Sequence, residues 1–291
     1  MAIPEQQLET WSHQGATVGS ANTHKSIRVA LDQHSWPEGM NYDVYLQGSY
    51  RNHTNIRGNS DVDVVIEARS VCNYNLNEYQ KRLLGIRTGS YNYWDFRNEV
   101  LQALASHYGA NSVDAYGQKS IKIGSSSNRL AADVVPCITY RRYHDLQVFT
   151  EGITFWTLNS NQQIINYPKL HFQNGAHKNE RANNYYKPVV RMFKNARERI
   201  LADNSSLQGN YPSYFVECLL YNVPDDCFSN RFADTYCDVV TFLLSENSQH
   251  LTEFWCQNEQ MLLFGNHPTQ WDITQAQDFI NQLCILWEQW Q

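Results

Sequence analysis

The sequence predicts an α+β protein in two parts, a sheet-and-helix N-terminal part and an all-helical C-terminal part. Three observations carry that reading. Apolar residues alternate with polar ones at 42–46 and form short β-rich runs at 61–66, 120–123 and 130–138, the half-buried and buried strand patterns. They take helical spacing at 93–108, between those strands. After Pro168 the runs at 185–201, 214–222, 231–246 and 273–290 all have helical spacing. The expected division is 1–158 and 159–291. At 291 residues, 42% apolar, the chain fits one large or two ordinary domains of roughly 100–200 residues each.

The elements follow in order. Residues 1–34 carry scattered apolar positions (Leu8, Trp11, Val18, Ile27, Val29, Leu31) and read as one or two helices, stopped by Pro37 and Gly39. The strand at 42–46 ends at a Gly48-Ser49 turn. A polar stretch rich in Asn, Arg and Gly leads to the strand beginning at Asp61. Helices are expected at 76–84 and 93–108, the second with Phe96, Val100, Leu101 and Leu104 on one stripe. The strands at 120–123 and 130–138 are separated by a turn at 124–128.

Composition excludes several classes. Only 18% of residues are charged and the net charge is -6, with a pI near 5.9, so the chain lacks the positive field of a dedicated nucleic-acid binder. Charge is uneven: residues 1–168 hold 14 Lys+Arg against 15 Asp+Glu, 169–199 hold 8 against 2, and 200–291 hold 1 against 12. A short basic segment beside an acidic third suits a small polyanion better than a long one. The first ten residues, MAIPEQQLET, have no signal or transit pattern, and no run approaches the ~18 apolar residues of a membrane span. A cytoplasmic protein is expected. Seven cysteines without a C-x-x-C pair fit reduced thiols better than disulfides or zinc.

The chemistry is concentrated in Gly48-Ser49 followed by Asp61-Val62-Asp63-Val64. On a strand, Asp61 and Asp63 share a face while the valines pack behind. Carboxylates held that close repel, and a divalent cation reverses the sign; hard oxygen ligands select Mg²⁺ or Mn²⁺, which share coordination with substrate phosphates. Gly48 lets backbone approach a phosphate, and Ser49 can donate to its oxygens. Asp133, a lone charge in the apolar run 130–135, needs a partner and is the candidate third carboxylate. A D-x-D alone is usually a solvated strand edge, and a Gly-Ser usually a turn. The ordered set describes two-ion phosphoryl transfer.

These residues resemble the signature of the polymerase-beta-like nucleotidyltransferase superfamily. The stretch QGSYRNHTNIRGNSDVDVVIE resembles the CD-NTases, bacterial cGAS/DncV-like cyclic-oligonucleotide synthases. NYPKLHFQNGAHKN, YYKPVVRMFKNAR and PSYFVECLLYNVP resemble that family's helical domain. The resemblance implies a catalytic sheet with a C-terminal helical domain, in the bilobal arrangement of oligoadenylate synthase and cGAS. It implies Asp61, Asp63 and Asp133 as catalytic metal ligands for two Mg²⁺ or Mn²⁺ ions. Lys187, Arg191 and Lys194 share a helix face, with Val189, Phe193, Ala196 and Ile200 on another. By resemblance Lys194, with Lys187 second, holds the triphosphate, whereas for Arg191, Arg197 and Arg199 a surface salt-bridge face is an equal reading. The resemblance also gives Ser213 a phosphate, Tyr214 a stacked base and Asn166 a base edge. A tyrosine opening a helix is otherwise usually a core residue.

The expected activity is condensation of NTPs, with loss of pyrophosphate, into a cyclic di- or trinucleotide second messenger for anti-phage (CBASS-type) defence. A separate effector would respond to it. The protein is expected to be monomeric, without strong nucleic-acid binding or membrane attachment. Two rivals stand beside this: a nucleotidyltransferase acting on tRNA, a protein or an antibiotic, and a non-catalytic nucleotide-binding protein.

Overall fold

A computed structural model of the chain describes residues 2–57, 60–87, 89–207, 210–246, 248–267 and 269–290. Gly58 and Asn59 of the signature stretch lie outside the described residues. The chain divides into two compact units, residues 16–50 with 58–168, and residues 1–15 with 51–57 and 169–291. This differs from the division at 158/159 that the sequence suggested.

The first unit is built on a seven-stranded sheet: β1 (Tyr42–Leu46), β2 (Val62–Tyr74), β3 (Val113–Asp114), β4 (Ile121–Ile123), β5 (Ala132–Tyr143), β6 (Phe149–Trp156) and β7 (Gln163–Asn166). The order is β1-β2-β5-β4-β3. β2 and β5 are parallel neighbours, and every other pairing is antiparallel. β5 is long enough to pair with β4 at its start and with β6 from Ile138 on. Val62, Val64, Val65, Ile66, Val134 and Cys137 are buried, the continuous apolar run expected of parallel strands covered on both faces. α2 (Val18–Asp32) and α5 (Tyr93–Tyr108) add Ile27, Leu31, Phe96, Val100 and Leu104 to the same core. α5 is closed by a capping box in which Asn92 and Asp95 satisfy each other's backbone N–H. The short helices α3 (Gly48–Asn52) and α4 (Glu78–Leu83) complete the elements before residue 110.

β6 and β7 escape the sequence pattern. Gly152 interrupts β6 because a Cβ there would stand 2.7 Å from the Asn166 carbonyl oxygen and 2.7 Å from the Tyr167 ring, a close backbone approach.

The second unit contains α1 (Glu5–Ser12), α6 (Pro168–Arg181), α7 (Tyr186–Asp203), α8 (Ser213–Tyr221), α9 (Phe232–Ser245), α10 (Ser248–Leu251) and α11 (Ile273–Glu288). α7 runs through its core, with Val189, Met192, Phe193 and Ala196 fully buried against Phe215, Tyr236 and Phe279. α1 belongs here because Ile3 and Leu8 join that core. The Glu5 carboxylate also accepts the Phe232 and Ala233 N–H groups at 2.7 and 2.6 Å, capping α9. α6 is another element without a strong sequence signal; Gly175 sits in its middle because the Gln257 amide would be 2.3 Å from a Cβ. Among the described residues no helix is long and apolar enough to cross a membrane, and the seven cysteines are free.

Candidate active site

Register places the two strand aspartates together. Asp63 on β2 and Asp133 on β5 are direct partners across the parallel pair, so their side chains leave the same face side by side. Asp61 lies one residue before β2 and is exposed, within the ±1–2 residues by which strand ends vary. Burial pushes the Asp63 carboxyl up to about 7, and the charges of Asp133 and Asp61 push it the same way. Two carboxylates therefore act on a third that is already poorly hydrated, the local field in which a cation gains most.

Gly48 closes the site from behind. Its φ is +64°, a conformation costly for residues with a Cβ, and a Cβ would stand 2.4 Å from Asp63 Oδ2. Gly48-Ser49 opens the short helix α3 rather than a free turn, and Ser49 is half-buried. The preceding Gln47 donates its N–H to the Asp63 carbonyl at 3.0 Å, and its side-chain Oε1 is buried without a hydrogen-bond partner.

Ser120 Oγ donates to Asp133 Oδ1 at 2.8 Å, and Lys122, opposite Asp133 in register, stands 3.9 Å from the same oxygen. Asp133 is thus turned toward β4. Among the described residues no trio of carboxylate, His or Cys side chains is close enough to hold a metal as it stands. The hard-oxygen donor set and the raised Asp63 fit a divalent cation. A pocket of about 350 Å³ opens beside the carboxylates, lined by Asp61, Asn111, Ser112, Asp114, Lys122 and Asp133. Gln47, Ser120 and Lys122 carry no sequence signal of their own; only the strand pairing exposes them.

Asn166, at the end of β7, is half-buried and accepts the Tyr167 N–H at 2.8 Å through Oδ1. Its Nδ2 has no described bond.

The helical unit contains the other expected residues. Lys187 on α7 is half-buried, 5.5 Å from the Phe172 ring centre, and Arg51 lies over the same ring at 4.1 Å. Neither has a carboxylate partner among the described residues. Burial lowers the Lys187 pKa, and Arg191 and Arg51 push it further down against the pull of Glu217. His53 is lowered first by burial and then by Lys187, Arg51 and Arg191. Here cations gather without a direct ion pair among the described residues, and Arg51 is a member that the sequence reading missed.

Lys194, expected at the triphosphate, is engaged inside the core. It is 2% exposed, and its Nζ donates to Glu217 Oε2 at 2.8 Å, Thr54 Oγ1 at 3.0 Å and the Thr54 carbonyl at 3.3 Å. An ammonium with its three donors used inside a core is not offered to a triphosphate. Glu217 also accepts from Asn52 Nδ2 at 3.0 Å, Thr54 Oγ1 at 2.9 Å and His171 Nε2 at 3.0 Å. Burial alone would raise the Glu217 carboxyl; Lys194 and His171 outweigh it and hold it far below the usual carboxylate range.

Ser213 is the first residue of α8 and exposed. The Tyr214 ring stacks on His171 at 5.0 Å and tilts against Trp271 at 5.7 Å, leaving about a third of the residue exposed. Burial of the hydroxyl pushes its pKa well above 10.

A mixed sheet that presents paired aspartates behind a glycine without room for a Cβ defines a polymerase-beta-like nucleotidyltransferase. Residues 173–288 match the family model of the cGAS/DncV-like nucleotidyltransferase C-terminal helical domain. The chain is 47% identical to the cyclic UMP-AMP synthase of Rhodothermus marinus, over 100% of this chain and 99% of that protein. It is 37% identical to the cyclic nucleotide synthase CdnE01 of Staphylococcus haemolyticus, over the full length of both. The solved Rhodothermus marinus CdnE c-UMP-AMP synthase with Apcpp and Upnpp superposes with a TM-score of 0.93, over 99% of this chain and 97% of that one. The chain belongs to the cGAS/DncV-like CD-NTases, nucleotidyltransferases that condense NTPs into cyclic nucleotides.

Proposed function

We propose that this chain joins a uridine and an adenosine nucleotide into a cyclic dinucleotide, with Asp61, Asp63 and Asp133 as its catalytic carboxylates. The pairing of Asp63 with Asp133 against Gly48 is the observation that carries the catalytic assignment. The full-length 47% identity to a cyclic UMP-AMP synthase supports the choice of bases.

The residues have separable tasks. Asp61, Asp63 and Asp133 would hold two Mg²⁺ or Mn²⁺ ions, which would lower the pKa of the attacking hydroxyl and balance charge on the pyrophosphate leaving group. Ser120 holds the Asp133 side chain in one orientation. A 2′ or 3′ hydroxyl of one nucleotide attacks the α-phosphorus of the other, a P–O bond to pyrophosphate breaks, and a second condensation closes the ring. Asp133 takes the hydroxyl proton, or it passes to water. Gly48 and Ser49 contact phosphate oxygens, and Lys187 with Arg51 supplies charge for the triphosphate. Ser213 donates to a phosphate oxygen, Tyr214 stacks on a base, and Asn166 reads a pyrimidine edge through its free amide nitrogen. In this reading the product is a second messenger of CBASS-type anti-phage signalling, made in the cytoplasm by a monomer and sensed by a separate effector. Transfer to tRNA, a protein or an antibiotic has no counterpart among the relatives described above.

The test is incubation with each labelled NTP, singly and in pairs, with Mg²⁺ or Mn²⁺, then phosphatase digestion and mass spectrometry. A resistant product containing one UMP and one AMP, absent from Asp63→Asn, supports the reading. A product of other bases overturns the base assignment; NTP binding without a cyclic product overturns the synthase assignment for this chain.

A further inference from the structure

β2 is interrupted far from its aspartate. Its register against β5 slips between Ala68 and Cys72, a bulge that gives up ladder hydrogen bonds to re-aim side chains and is common beside binding sites. The re-aimed residues Ser70, Val71 and Cys72 line a cavity of about 800 Å³, within the range of small-molecule pockets, ~300–1,000 Å³. Cys72 is nine residues along the strand from Asp63, on the order of 30 Å at ~3.3 Å per residue. The cavity shares no lining residue with the pocket beside the carboxylates, and lies wholly within the sheet unit.

Its walls define a chemistry. Tyr91, Trp94 and Trp156 supply aromatic surface, against which a planar ring packs in offset or edge contact. The Tyr91 hydroxyl is buried and has no hydrogen-bond partner, a cost that an acceptor on a ligand would remove. Two lining cations face one lining carboxylate, Glu38. Lys81 is already paired with Glu78 at 2.9 Å, whereas the exposed Arg87 guanidinium makes no hydrogen bond or ion pair among the described residues. A planar fork without a carboxylate is suited to a carboxylate, sulfonate or phosphate.

We infer that this cavity is a second small-molecule site, separate from the nucleotide site, for a planar aromatic compound bearing an anionic group. The ring lies among Trp94, Trp156 and Tyr91, an acceptor meets the Tyr91 hydroxyl, and the anion pairs with Arg87. The inference is independent of which nucleotides the chain joins.

The test uses 8-anilinonaphthalene-1-sulfonate, an aromatic anion whose emission is excited through nearby tryptophans, titrated into the full-length protein. The expected result is saturable binding of one equivalent, unchanged by saturating non-hydrolysable ATP and UTP analogues with Mg²⁺. Arg87→Glu weakens it about tenfold or more, the scale of a lost charge-assisted bond. Tyr91→Phe weakens it a few-fold, and Val71→Trp, which narrows the cavity beside the bulge, weakens it about tenfold. Circular dichroism checks folding; if Val71→Trp does not fold, the other two variants still decide. Absence of saturable binding, displacement by the nucleotide analogues, or wild-type affinity in both Arg87→Glu and Tyr91→Phe overturns the proposal.

Discussion

At Asp63 the fold stores charge repulsion that can be read in stability. Its carboxyl is held near 7 by burial and by Asp133 and Asp61, above the ordinary value of about 4 in the unfolded chain. A raised folded-state pKa means that the native protein favours the protonated form, so this contribution is complete below about pH 4 and is lost as pH rises through about 7. Metal-free Asp63→Asn is therefore expected to melt several degrees above wild type at pH 8 and level with it at pH 4, while losing cyclic product. Equal melting at both pH values, followed by calorimetry in EDTA, would remove the repulsion from the account. Gly48→Ala tests the other side of the same carboxylate. It is expected to cost about 1–2 kcal/mol for the positive φ and at least a hundredfold in turnover, because Oδ2 must move from the new methyl; wild-type turnover would show that Asp63 tolerates displacement. The D-x-D and lone Asp were legible because carboxylates among valines are chemically anomalous. The buried pairing of Lys194 was not, since its partner Glu217 is distant in sequence and sits in an apolar helix that reads as ordinary core.

That helix, α8, shows how elements divide the labour of their charged residues. Glu217 receives Asn52, Thr54, His171 and Lys194, tying the loop after α3 to α6, α7 and α8. Breaking a buried pair by removing one member typically costs about 3–5 kcal/mol. Lys194→Ala is thus expected to lower the unfolding free energy by that amount. Lys187→Ala and Arg51→Ala, one turn or more from the pair and without carboxylate partners, should keep the unfolding free energy within about 0.5 kcal/mol and raise KM for NTP at least tenfold. Denaturant melts set against steady-state kinetics separate the two; a Lys194→Ala protein of full stability and raised KM would return Lys194 to the phosphate role. Helices with strong apolar stripes, α5, α7, α9 and α11, were legible to within a few residues. α6 and β6 were not, because Gly175 and Gly152 are there for the neighbours that press on them, Gln257 and Asn166, and a neighbour is a tertiary fact.

Over the whole molecule the charge run at 169–199 changes meaning once partners are known. Of its eight cations, Lys178 and Arg181 share Asp225, Arg199 pairs with Asp203, Arg197 with Glu198 and Lys194 with Glu217. Three of those four carboxylates lie in the acidic third after residue 199, so most of the basic segment is neutralised within its own unit. Arg191 spends its donors on the Ser12 and His53 carbonyls. Beyond Lys169, which has an interaction of its own, what remains is Lys187, with Arg51 of α3 beside it: enough charge for one triphosphate and too little for a duplex, whose affinity rests on neutralising several phosphates. Nuclease-treated protein should therefore form product at the same rate with or without added double-stranded DNA or RNA, and gel shifts at physiological salt should show no complex. KM for NTP should instead rise with ionic strength, as expected for a half-exposed two-cation site. Stimulation of tenfold or more by either nucleic acid would mean that the paired cations exchange Asp225, Asp203 and Glu198 for phosphates, and would turn the neutralised run back into a binding surface.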